Sequence, residues 1–261
     1  MQIIRVRNID SDGNTKGCEK APVEVLKSLK NIFSNEKGKL IEFDKLNLEE
    51  IHVDLENIEE ANHLIFENSK EAFERNFKTF FIGGDHSIDY SIGKAFDKIQ
   101  ENPLLIVFDA HGDCLENGKM NRKWLRKLVE GGFEARNILL IGARNLHAEE
   151  LEFIKKNSID WIKMDVLREE LEGVCDLVME RARKSGGFYM TIDMDCVDPS
   201  FAPGACDLEP GGLGSRDLIY FIKRMALLEN FRGADLVEIN PEKDINSMTV
   251  KLGAKLLSEM L

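Results

Sequence analysis

The sequence predicts an α/β fold, a mainly parallel sheet with helices on both faces. Three observations carry this expectation. Short apolar runs alternate with longer amphipathic ones along the chain, and strand–helix alternation marks α/β domains. Several runs are apolar at nearly every position, as in Asn137-Ile138-Leu139-Leu140-Ile141-Gly142. Such runs fit strands buried on both faces. No internal repeat or low-complexity linker divides the 261 residues, so they read as one domain, 1–261.

Taken in order, the candidate strands are 2–6, 39–43, 79–83, 104–109, 137–142, 159–164, 187–193 and 234–239. Helices fill the gaps. Between Asn57 and Phe77, the residues Ile58, Ala61, Ile65, Ala72 and Phe73 recur at helical spacing. Asp165 is a candidate cap for a helix carrying Leu171, Val174, Leu177 and Val178. Ser215 is a candidate cap for one carrying Leu218, Ile219, Ile222, Met225 and Ala226. The longest irregular stretch, 196–214, is rich in Gly and Pro and follows a strand. Ligands of open α/β sheets bind at the carboxyl ends of strands, so a long loop there reads as functional.

The chain is 43% hydrophobic and 31% charged, with a formal net charge of −12. That balance argues against nucleic acid as a partner, which calls for a basic face. No apolar run approaches the roughly twenty residues of a membrane helix. The start, Met1-Gln2-Ile3-Ile4-Arg5-Val6-Arg7, is too short and charged for a signal peptide. Five dispersed cysteines do not make a disulfide framework, and no C-x-x-C occurs. A reduced, cytoplasmic protein is expected.

Three runs carry the chemistry. Gly83-Gly84-Asp85-His86-Ser87 follows the apolar Phe80-Phe81-Ile82. Asp109-Ala110-His111-Gly112-Asp113 follows Leu104-Leu105-Ile106-Val107-Phe108, and Asp193-Met194-Asp195 follows Phe188-Tyr189-Met190-Thr191-Ile192. Alternate residues of a strand share a face, so Asp109, His111 and Asp113 can converge, as can Asp193 and Asp195. Clustered carboxylates repel unless something neutralises them, and two divalent cations balance four negative charges. Carboxylates mixed with imidazole suit Mn²⁺ better than a thiolate-loving ion. A pair of such ions acidifies a water and stabilises a developing tetrahedral centre.

With these runs in place, the sequence resembles the ureohydrolases, the arginases, agmatinases and formiminoglutamate hydrolases. The likeness continues through Cys196-Val197-Asp198-Pro199, Phe201-Ala202-Pro203-Gly204 and Pro210-Gly211-Gly212-Leu213. It extends to Asp235-Leu236-Val237-Glu238-Ile239-Asn240-Pro241 and to Gly17-Cys18-Glu19-Lys20-Ala21-Pro22. The resemblance implies a three-layer α/β/α fold with an eight-stranded parallel sheet. It implies two Mn²⁺ per subunit, one on His86, Asp109, Asp113 and Asp193, the other on Asp109, His111, Asp193 and Asp195. It implies attack by a bridging hydroxide on the central carbon of a guanidino or formimino group. Asp113 would carry the proton to the leaving amine, and Glu238 would bind the guanidinium edge. It also implies a homotrimer or homohexamer. Agmatine is the first expected substrate and arginine another. Formiminoglutamate, or a noncatalytic metal-binding role, stands as the alternative.

The chain departs from the family's pattern in two places. Arginases and agmatinases carry a shuttle histidine in a loop after the D-A-H-x-D run. Here the stretch is Gly118-Lys119-Met120-Asn121-Arg122-Lys123-Trp124-Leu125, with Asn121 near the histidine's place. Formiminoglutamate hydrolases also lack that histidine, and their substrate is anionic. Arg122 or Lys123 would meet an acidic tail, or both lie on an exposed helix face. The long loop reads Gly204-Ala205-Cys206-Asp207-Leu208-Glu209-Pro210 where the family often has Gly-Thr-Gly-Thr-Pro. Asp207 or Glu209 would hold an amine tail, or both are solvated. His147 follows another strand end, as a replacement shuttle or a helix-start residue. His52 and His63 read as structural, and Cys114 and Cys196 as packing residues.

Overall fold

The computed structural model describes residues 1–10 and 13–261. One sheet runs through it, built from β1 (Gln2–Val6), β2 (Leu48–Ile51), β3 (Thr79–Ile82), β4 (Pro103–Phe108), β5 (Ile138–Ile141), β6 (Asp160–Ile162), β7 (Gly187–Asp193) and β8 (Phe231–Val237). The spatial order is β2-β1-β3-β8-β7-β4-β5-β6. Every pairing between these strands is parallel. Nine α-helices connect them among the described residues: α1 (Ala21–Leu29), α2 (Ile58–Arg75), α3 (Asp89–Ile99), α4 (Trp124–Glu130), α5 (Ala148–Lys156), α6 (Met164–Glu169), α7 (Leu171–Lys184), α8 (Ser215–Met225) and α9 (Met248–Met260).

Strand alternation divides the core in two. Leu104, Ile106 and Phe108 face the layer of α1, α7, α8 and α9, where Val25, Val178, Phe221 and Leu256 pack. Leu105 and Val107 face α2, α3, α4 and α5, where Phe73, Phe96, Leu128 and Phe153 pack. Helices thus cover both faces, which is why the central strands are apolar throughout and β4 and β7 are buried at every position. No helix of the described residues is long and apolar enough to cross a membrane.

The local expectations fare unevenly. The helix from Asn57 is present, and the Asn57 side chain accepts from the Glu60 N–H. Residues 39–43 are not a strand. Leu40 is 70% exposed and makes an isolated antiparallel bridge to Ser34. The second strand is instead Leu48-Glu49-Glu50-Ile51, whose charged face suits a sheet edge, with Glu50 2.6 Å from Arg5 on β1. Ser215 is the first residue of α8, and the Asp217 carboxylate closes that end by accepting from the Gly214 N–H. Asp165 lies inside α6 rather than capping α7. His52 and His63 are both exposed.

The cysteines also differ from the sequence expectation. Cys18 and Cys206 bring their sulfurs together across 188 residues of chain, with Cα atoms 7.7 Å apart, a juxtaposition that spacing does not signal. Cys114, Cys175 and Cys196 are free and buried, and Cys114 and Cys196 pack in opposite core layers.

Candidate metal centre

The site stands at the carboxyl ends of β3, β8, β7 and β4, four strands adjacent in the sheet. β3 is followed by Gly83-Gly84, where the chain passes so close to β1's extension that a Cβ on Gly84 would sit 2.1 Å from the Asn8 carbonyl oxygen. Only glycine allows that approach. Asp85 then fastens the turn. It accepts from the Ser87 N–H (3.1 Å), the Asp10 N–H (2.8 Å) and the Thr15 hydroxyl (2.8 Å). Burial pushes its carboxyl up to about 6. Asp85 therefore builds the turn and His86 is left to face the site.

His86 Nδ1 lies 3.2 Å from Asp109 Oδ2, 3.0 Å from Asp113 Oδ2 and 3.2 Å from Asp193 Oδ2. His111 Nδ1 lies 2.9 Å from Asp195 Oδ2 and 3.6 Å from Asp109 Oδ1. Asp109 belongs to both groups. The six residues singled out from the sequence are thus brought together, and none is more than 7% exposed. Backbone donors aim them: Asp109 accepts from the His111 N–H (2.7 Å), Asp193 from the Asp195 N–H (2.8 Å) and Asp195 from the Ala110 N–H (2.9 Å). Asp113 adopts a left-handed backbone with φ 46°, a conformation Asp tolerates better than most residues.

The electrostatics record how crowded the cluster is. Burial opposes charge on His86, yet Asp109, Asp113 and Asp193 hold its imidazole well above the usual value. His111 is likewise pushed up to about 12, against burial, by Asp195 and Asp109. Burial drives Asp193 far above the carboxylate range, with Asp195 and Asp109 adding to it. Asp195 runs the other way, because His111 beside it overrides burial. Glu238 is raised by burial and by Asp85.

The donors fit divalent cations. His86 Nδ1 and Asp109 Oδ2 are buried with no hydrogen-bond partner, a state that buried polar groups rarely tolerate. His86, Asp109 and Asp193 offer converging ligand atoms, as do Asp109, His111 and Asp195. Oxygen and imidazole nitrogen without sulfur suit Mn²⁺-type ions.

A sequence model described as the Arginase family matches residues 5–261. The chain belongs to the arginase family. It is 34% identical to Arginase 1, mitochondrial, of Arabidopsis thaliana over 205 residues, 76% of this chain and 58% of that protein. It is 33% identical to the agmatinase of Bacillus subtilis over 185 residues, 69% of this chain and 61% of that protein. Against the crystal structure of the formimidoylglutamase of Bacillus subtilis the TM-score is 0.90 at 26% identity, covering 99% of this chain and 85% of that one. The eight-stranded parallel sheet between helix layers is the fold this family membership implies.

Around the centre lie further polar and charged residues. The Glu238 Oε1 accepts from the His86 N–H at 3.0 Å, and Glu238 has φ 61°. A cavity of about 190 Å³ opens above His111, lined by Arg122, Asn145, His147, Asp207 and Glu209 among others. Arg122 pairs with Asp207 across its mouth. Burial disfavours the guanidinium, but Asp113, Asp207, Glu238 and Asp109 hold it above its ordinary value. Glu209 accepts from the Asn145 amide and lies 3.7 Å from His111 Nε2. Asn121 is buried beside the His86 turn with its carboxamide oxygen unpartnered. Lys123 caps α4 and does not line the cavity.

Three supporting residues escaped the sequence reading. Trp124 Nε1 donates to Asp113 Oδ2 at 2.9 Å and its ring lies 4.7 Å from that of His86. Trp124 sits in a basic stretch, Arg122-Lys123-Trp124-Leu125-Arg126, and a buried indole N–H needs an acceptor, which is the one signal available. Thr191 Oγ1 lies 3.0 Å from His86 Nε2, fixing the ring's far side. Arg144 donates to the carbonyls of Asp195 (2.8 Å) and Pro210 (3.1 Å), tying the long loop to a candidate ligand run.

Proposed function

We propose that this chain hydrolyses a C–N bond of a small formimino or guanidino compound whose tail carries a carboxylate. The observation that carries this reading is Arg122, whose guanidinium lines the cavity above His111 and pairs there with Asp207. It is suited to clasp a carboxylate with paired hydrogen bonds. The absence of a histidine from 114–125 points the same way.

Two Mn²⁺ held by His86, Asp109, His111, Asp113, Asp193 and Asp195 would neutralise the cluster and supply hydroxide from water near neutral pH. The chain's own groups do the rest. Glu238 orients the amidine through its N–H groups, with one carboxylate oxygen already fixed by the His86 N–H. Water oxygen bonds to the central carbon, and the C–N bond to the departing amine breaks. Asp113 takes the water's proton and returns it to the departing nitrogen. The Trp124 indole holds the Asp113 carboxylate in place for both transfers.

A second reading, agmatine, is favoured by Asp207 and Glu209, which place two carboxylates on the same cavity. The test is a product assay on the Mn²⁺-loaded chain, scoring formamide and urea from formiminoglutamate, guanidinobutyrate, arginine and agmatine. The carboxylate-bearing substrates are expected to turn over fastest. Agmatine as the best substrate overturns the anionic-tail reading.

A further inference from the structure

We propose that the Cys18–Cys206 pair is an oxidation-controlled clamp that sets the substrate side of the site. Both sulfurs are buried: Cys18 is fully so and Cys206 is 8% exposed. Their sulfurs meet where the turn before α1 touches the long loop after β7. That junction lies beside the Glu238 carboxylate, since one of its oxygens and both sulfurs fall within 4.8 Å of one another.

Two further contacts connect the junction to the substrate side. The Cys206 N–H donates to the Glu238 carbonyl at 3.0 Å, and the adjacent Ala205 bridges Ile239. Asp207, next along the chain, pairs with Arg122 over the cavity. Glu238 itself has φ 61°, a conformation that persists in a non-glycine residue only when its surroundings fix it. The Arg122–Asp207 pair is 31% exposed on each side chain, and an exposed ion pair contributes little rigidity. A covalent link closed on oxidation would be the strongest tie on this stretch of loop. Neither cysteine belongs to the two ligand groups built on Asp109, although with Glu238 they form a third cluster of metal-ligand type; the clamp acts on substrate placement and leaves the Asp109 groups alone.

The chemistry is thiol–disulfide exchange with a low-molecular-weight disulfide. Cys206, the more accessible sulfur, attacks it as the thiolate and expels one thiolate. The Cys18 thiolate then attacks the Cys206 sulfur of the mixed disulfide and expels the second. Two protons and two electrons leave the cysteines, and the oxidant becomes two thiols.

The experiment uses the full Mn²⁺-loaded chain, treated with oxidised glutathione or with dithiothreitol. Differential alkylation and mass spectrometry then read each cysteine. Cys18 and Cys206 are expected to be protected together after oxidation and alkylated after reduction. Reduction should raise KM about tenfold, with kcat and bound Mn²⁺ little changed, because substrate placement loses its preorganisation. It should also lower the melting temperature by several degrees. C18S and C206S should behave as the reduced protein under both treatments, while C175S should respond as the natural sequence does. Alkylation of both cysteines after oxidation, or a protected pair with unchanged KM and melting temperature, overturns the proposal. The KM arm rests on the substrate reading above. If no panel substrate is turned over, that reading fails, while alkylation and melting still decide the clamp.

Discussion

Asp109, Asp193 and Asp195, on the floor of the site, each accept a backbone N–H, and none is more than 3% exposed. Arg122 and Asp207, at the mouth, face each other with about a third of each side chain in water. The floor comes from four adjacent strand ends of one rigid sheet. The mouth comes from separate loops, around residues 122, 145–147 and 206–209. Strand ends fix geometry to fractions of an ångström, and loops are where binding specificity varies. On the function proposed above, the division assigns bond cleavage and substrate choice to separable parts of this molecule. Floor changes should abolish activity on every substrate, and mouth changes should reorder substrates.

The hardest blow to that division is Asp193→Asn. It should strip cations and lower kcat/KM by about a thousandfold or more on all substrates alike. Metal analysis beside kinetics checks it, and full Mn²⁺ binding with ordinary turnover would break the assignment of the floor. Arg122→Met comes next. It should cost about ten- to a hundredfold in kcat/KM for carboxylate-bearing substrates, the range expected from one lost charged hydrogen bond, with Mn²⁺ content unchanged. An equal loss on agmatine would show that the mouth is not selective.

The smallest effect is a slope. In the metal-free chain, Asp193 and Glu238 keep protons that the unfolded chain has already released, and so does Asp85, raised from 3.8 to about 6. The folded state then binds more protons, so stability falls as pH rises, between 3.8 and about 6 for Asp85 and beyond that for the others. The raised His86 and His111 add the same sign, full below 6.5 and lost as pH climbs through their folded values. Thermal melts of chelator-treated protein should drop by several degrees from about pH 5 to 8. Loading with Mn²⁺ should flatten the slope to the part carried by Asp85 and Glu238.

The floor was legible in the sequence because its signals are local. Leu104 to Phe108 announces a buried strand, and Asp109, His111 and Asp113 follow at once. Chemistry and its carrier are written side by side. The mouth is not written that way. Arg122 meets Asp207 across 85 residues and Cys18 meets Cys206 across 188, and nothing in either spacing foretells contact. The misplaced second strand has a similar cause. Lys39-Leu40-Ile41-Glu42-Phe43 has the apolar look of a strand, while the true edge, Leu48-Glu49-Glu50-Ile51, hides under its charges. Pairing to β1 decided the matter, and pairing is a property of the assembled sheet.

The backbone of Glu238, at φ 61°, narrows what can replace it. Random drift at such a position favours residues comfortable in that twist, above all glycine, asparagine and aspartate. Glycine has nothing to offer a planar cation, asparagine has no charge, and aspartate is one carbon shorter. The substitutions easiest for the main chain are therefore those worst for recognition, and a lineage that abandons this glutamate would find few ways back.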